Sequence, residues 1–149
     1  MAVQVALNNS NLPFVLSGES KTKTGIIAQN DSRATVLKKY TVMAQLASGG
    51  KWTPFVSLVA TTGASVPRGI YMGEDIAAAT LLAGDVTDVD ILVGDAVVDT
   101  DQVVFDDGTL SAASIVNTGT IEARTAQAAL ESCGIYLEST IDISGYENA

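Results

Sequence analysis

From Ala34 onward the chain alternates short apolar runs with breaks at glycine or aspartate, and that spacing predicts strands. In "TVLKKYTVMAQL" valine, tyrosine and threonine recur at strand spacing, "SGG" supplies a turn, and "KWTPFVSLVA" returns as the second arm of a ribbon with Trp52 just past the turn. "TTGASVPRG" predicts a turn into the strand of "GIYMGEDI", and "AAATLLAG" fits either a helical turn or a loop. "DVDILVGDAVV" predicts a strand broken at Gly94. "DQVVFDDGTL" predicts another strand, closing on an Asp107–Gly108 turn. One helix is expected in "TGTIEARTAQAALESCGIYL", with Thr120 as cap, Glu122 in the first turn and Gly134 at the end. "IYLESTIDIS" then places Ile135, Leu137, Ile141 and Ile143 in a closing pair of strands. The fold class predicted is mostly β with one short α-helix: a β-clip or small barrel-like body of short bent ribbons.

Residues 1–33 read differently. "NNSN", "SGESKTKTG" and "AQNDSR" are polar and rich in turn formers, which predicts a flexible N-terminal arm ahead of a single β-rich domain over residues 34–149. Within the arm, Leu12, Pro13, Phe14, Val15 and Leu16 form one apolar patch, and Ile26 with Ile27 forms another. Short strand-like patches in a polar tail suit addition to a partner's sheet.

Composition narrows the function. Of 149 residues 47% are hydrophobic but only 5% aromatic, which favours a scaffold of small residues over a deep aromatic ligand pocket. No apolar run is long enough to cross a bilayer, and "MAVQVALNN" has no charged n-region, so neither a membrane span nor a signal peptide is expected. The single cysteine, Cys133, fits a reducing compartment and synthesis in a cytoplasm.

The net charge of −9 is unevenly spread. Residues 1–68 hold seven of the eight Lys/Arg and two of the seventeen acids, a net of +5; residues 69–149 hold one and fifteen, a net of −14. Separation on this scale predicts head-to-tail contact between subunits or an oppositely charged partner. Lys38, Lys39, Lys51 and Arg68 are the basic side of such an interface, Asp85, Asp88, Asp90, Asp99 and Asp101 the acidic side, and Trp52 a packed anchor. Nucleic acid is not an expected partner, because the basic region is short and the body repels phosphate.

Catalytic motifs are absent from the sequence. Without histidine, Ser/His/Asp and Cys/His arrangements have no base, and one cysteine cannot build a zinc site. "GGKW" lacks the phosphate-loop spacing, and "GDVTDVD" lacks the glycine and terminal glutamate of an EF-hand. The expectation is a non-enzyme with no cofactor and no metal.

"TVLKKYTVMAQ", "GKWTPF", "SVPRGIYMGEDI", "DILVGDAVV" and "AQAALESCGIYL", in that order, resemble the lambda-type head decoration proteins of tailed bacteriophages over about residues 34–137. The resemblance implies a compact β-clip body that binds the outside of the expanded capsid. It implies a homotrimer at threefold lattice positions, with the major capsid protein as partner and the N-terminal arm adding a strand to it. Another phage structural module, such as a tail tube or fibre base, and a small β-barrel that binds peptide or carbohydrate are the competing classes.

Overall fold

The computed structural model describes residues 13–56, 63–116 and 124–139. Ten strands dominate it: β1 (Val15–Ser17), β2 (Lys21–Ile27), β3 (Val42–Gln45), β4 (Trp52–Pro54), β5 (Pro67–Tyr71), β6 (Val86–Gly94), β7 (Ala96–Asp99), β8 (Ile115–Val116), β9 (Arg124–Thr125) and β10 (Ile135–Glu138). The stretch left open between a helical turn and a loop forms the six-residue helix α1 (Ala78–Ala83), and α2 spans Ala126–Ser132. The fold is therefore mostly β, and its body is a closed barrel in the order β2-β4-β3-β5-β6. Beside it lie a three-stranded sheet, β1-β7-β10, and a two-stranded one, β8-β9.

Three barrel strands are buried on both faces, and this organises the whole molecule. Because side chains alternate along a strand, Met43, Tyr71 and Ile91 point into the barrel, where they meet Ile27, Leu37, Trp52, Ile76, Leu81 and Val89. Their neighbours Val42, Ile70 and Leu92 lie side by side across β3, β5 and β6 and point the other way. That outer face packs against Phe14, Phe55, Val98, Leu130, Ile135 and Leu137. The wall thus separates an inner core from an outer one, and the second sheet and α2 cover its far side.

The N-terminal boundary predicted at residue 33 does not hold for the described residues. β1 pairs antiparallel with β7, and β2 runs along β6 from Lys21↔Gly94 to Ile27↔Val86. Phe14 is buried and stacks on Tyr40 with ring centroids 3.8 Å apart, and Ile27 is fully buried inside the barrel. Farther along, Arg33 is 8% exposed; its guanidinium donates to both Asp106 carboxylate oxygens (2.5 and 2.6 Å) and to the carbonyls of Thr35 and Val36. Polar composition hid this because Lys21–Thr24 stay exposed while their backbone takes part in the ladder.

Two further expectations change. "DQVVFDDGTL" forms no strand: Thr100–Gln102 is a 3-10 turn, and Val104 makes only an isolated bridge to Thr41. Local side-chain bonds replace the ladder there, since Asp99 accepts from the Asp101 amide and Asp107 accepts from both the amide and the hydroxyl of Thr109. The expected turn at Asp107–Gly108 does form. In α2 the cap is Thr125, whose hydroxyl accepts from the Ala128 amide at 3.1 Å; Thr120 and Glu122 lie outside the described residues, as do Ile141 and Ile143. The helix ends at Cys133–Gly134 as the sequence predicts.

Candidate functional site

The barrel closes through one pairing. β2 and β4 meet only at Ile27↔Trp52, in parallel, with the Ala28 amide donating to the Trp52 carbonyl at 2.8 Å. Toward the N-terminal side of that pair the chains diverge: β2 runs back through Gly25 and Lys23, while β4 runs back into the Gly49–Gly50–Lys51 turn. The result is a seam cleft of about 440 Å3 with Lys23, Thr24, Gly25 and Ile26 on one wall and Gln45, Gly49, Gly50 and Lys51 on the other. Trp52 forms its floor, and Arg68, Val93 and Cys133 complete the lining.

Each wall has a local cause. Lys21–Ile27 contains two threonines, whose branched side chains suit a pleated strand, and the ladder to β6 holds it from the other side. The opposite wall is a hairpin in which Gln45 sits across from Trp52, and the Gln45 side-chain amide donates to the Gly50 carbonyl at 2.8 Å, bracing the turn. Gly25 is required by contact. A Cβ there would stand 2.8 Å from both Cδ1 and Nε1 of Trp52, so only glycine lets the indole lie against β2.

Trp52 is 6% exposed and packs into the inner core of its own chain. Its indole Nε1 has no hydrogen-bond partner among the described residues. The polar side chains that rim the cleft, from Lys23, Lys51, Arg68 and the Gln45 amide, are dominated by donors. Lys51 is held by Asp85 at 2.6 Å, whereas Lys23 and Arg68 make no ion pair among the described residues. The Lys51 ammonium, and after it the Gln29 amide, hold the Asp85 carboxyl below its ordinary range.

That pair corrects the expected charge geometry. Lys51 and Asp85 were assigned to opposite sides of a subunit interface, yet they bind each other within one chain, and Lys39 lies 3.8 Å from Glu74. Antiparallel pairing of β2 and β5 with β6 interleaves the basic early segment with the acidic later one. Sequence separation of charge is therefore not spatial separation. Lys38, Arg68, Asp88, Asp90 and Asp101 are exposed, while Asp99 is fully buried and caps the 3-10 turn.

Of the residues assigned to strand addition, Leu12 lies outside the described residues. Phe14 and Ile27 are occupied in the two cores, Val15 and Leu16 are half-buried in β1, and Pro13 and Ile26 are exposed. Sequence reasoning missed Lys23 and Gly25 as cleft walls; the signal was the alternation in "KTKTGII", which is strand-like as well as polar.

A second feature lies at the far end of the outer sheet. β1 is antiparallel to β7 and β10 parallel to it, so the start of β1 and the end of β10 fall together. The Asp99 amide donates to the Phe14 carbonyl at 2.8 Å, Glu138 stands across from Asp99, and the Gln102 side chain reaches the Pro13 carbonyl at 3.3 Å. Pro13 and Ser139, at the two ends of the described body, therefore lie at one pole. Val93 and Cys133, at the seam, precede β7 and β10 at the opposite end.

Among the described residues no group of three or more His, Cys, Asp or Glu is placed to hold a metal ion, and no helix is long and apolar enough to cross a membrane. No protein-family model, curated protein or solved structure matches the chain. The fold defines a small closed β-barrel with an appended three-stranded sheet.

Proposed function

We propose that the protein is a structural virion component that binds the outside of an expanded tailed-phage capsid and stabilises it, as a homotrimer at threefold lattice positions. The observation that carries this reading is the shared pole, where both ends of the described body meet beside Asp99. A module whose two ends leave its body at one pole can place both at the lattice point where it meets its neighbours. The resemblance supports the same reading, since its pieces contain β3, β4, β5, the β6–β7 turn and α2 with the start of β10. Binding that requires the expanded lattice stabilises that lattice by mass action, and several copies on one lattice point add through avidity.

Strand addition to the major capsid protein falls, on this reading, to residues ahead of Pro13, because Phe14 and Lys21–Ile27 are committed to the body. Co-sedimentation with purified shells tests it. The protein should pellet with expanded shells and not with unexpanded ones, and removal of residues 2–12 should abolish pelleting. Equal pelleting with both shell forms, or with neither, overturns the proposal; undiminished pelleting of the shortened chain overturns the strand-addition part.

A further inference from the structure

The seam cleft is also an unfilled strand position. The Ala28 amide bonds to β4, so alternation places the backbone of Thr24 and the amide of Ile26 on the same side, facing the cleft. No strand pairs with them there among the described residues, because β4 meets β2 at Ile27 alone. From Lys23 to Ile27 the gap is about 13 Å long at about 3.3 Å per residue, enough for four residues of an added strand. The walls accept a particular chemistry. Among the described residues Lys23 and Arg68 are cations without an ion pair and the Trp52 indole N–H has no acceptor, so an extended segment carrying carboxylates fits and a basic one does not.

We propose that the seam receives the acidic segment 139–147 of a second copy of this chain, which follows β10, as an added strand. Two features select that occupant. The segment carries Asp142 and Glu147 with no Lys or Arg after Arg124, and Ile141 and Ile143 alternate with polar positions as a strand requires. It also starts at the pole, whereas the seam lies at the other end of the β7–β10 pair, so pole-to-seam contact between copies is head-to-tail and can close into a ring. Asp85 is spent on Lys51 within the chain and takes no part.

The test is a charge swap read by sedimentation, with no shell present, so its outcome is independent of the capsid proposal. One variant carries Lys23→Glu with Arg68→Glu, the other Asp142→Lys with Glu147→Lys; circular dichroism checks that both remain folded. The wild-type chain should self-associate, each variant alone should do so about tenfold more weakly or worse, and an equimolar mixture of the two should recover association. In parallel, a synthetic peptide of residues 138–149 should perturb the fluorescence of Trp52, the single tryptophan, and should not do so in the Lys23→Glu, Arg68→Glu variant. A monomeric wild-type chain, variants that associate normally, or a mixture that stays apart overturns the proposal. So does a Lys23→Glu, Arg68→Glu chain that loses shell binding but keeps self-association, which would assign the seam to another partner.

Discussion

The inner and outer cores share one wall and differ in where their residues come from. The inner core draws on β2 to β6 and the loops between them, from Ile27 to Ile91, and is enclosed by a barrel with one weak closure. The outer core gathers Phe14 from one end of the described chain and Leu137 from the other, and lays them on Val42, Ile70 and Leu92. The inner core thus makes the site, whereas the outer core makes the molecule one unit. A residue in the N-terminal stretch can therefore matter as much as one in the barrel.

The sharpest way to break this comparison is Phe14→Ala. With its ring buried and stacked on Tyr40, its loss should cost about 3–5 kcal/mol in denaturant unfolding. A change under about 0.5 kcal/mol, as an exposed residue would give, would return the segment to the status of a detachable arm. Next comes Arg33→Ala, which removes the guanidinium from Asp106 and leaves a carboxylate and two carbonyls without their donor. A loss of about 3 kcal/mol is expected by thermal melting, and replacement of both partners by apolar residues should recover much of it.

The inner core is probed by Gly25→Ala, whose new methyl group would press on the indole. A loss of about 1–3 kcal/mol is expected in the wild-type background. In a Trp52→Ala background the same change should cost far less, and a double-mutant cycle without coupling would show that β2 and the indole do not define the cleft together.

The smallest effect belongs to the seam's ion pair. Asp85 has a folded-state pKa depressed first by Lys51, so its contribution to stability is present above the unfolded-state pKa and is lost as pH falls through the folded value. Lys51→Met should move the Asp85 titration, followed by NMR, upward toward the ordinary carboxylate range. An unmoved titration would mean that the Gln29 amide alone sets it.

Much of the fold was legible in the sequence. The ribbon around the "SGG" turn, the break at Gly94 and the end of α2 all follow from alternation and glycine punctuation, which are local signals. What escaped was non-local. β2 reads as a polar tail because its stability comes from a partner strand roughly sixty to seventy residues away, and Arg33 finds Asp106 across 73 residues. Of the cleft lining, the sequence singled out Ile26, Lys51, Trp52 and Arg68 without joining them; Lys23 and Gly25 reach it through barrel closure. Strand-like runs that become turns, as after Asp99, were lost to aspartate side chains bonding to nearby amides.

Pairing of Val15 with Val98 also sets a schedule for synthesis. Roughly eighty residues separate the two, and at about 5–20 residues per second several seconds pass before the partner of β1 leaves the ribosome. Contacts this distant also slow the closing step itself. β2 waits somewhat less, since its partners on β6 follow it by roughly sixty to seventy residues, and an apolar strand left unpaired for that time would invite aggregation. Lys21 and Lys23 are exposed on β2, and charges so placed oppose aggregation of a strand that waits for its partner. Replacing Lys21 and Lys23 with valine should lower the soluble yield on expression even where the finished barrel tolerates the change.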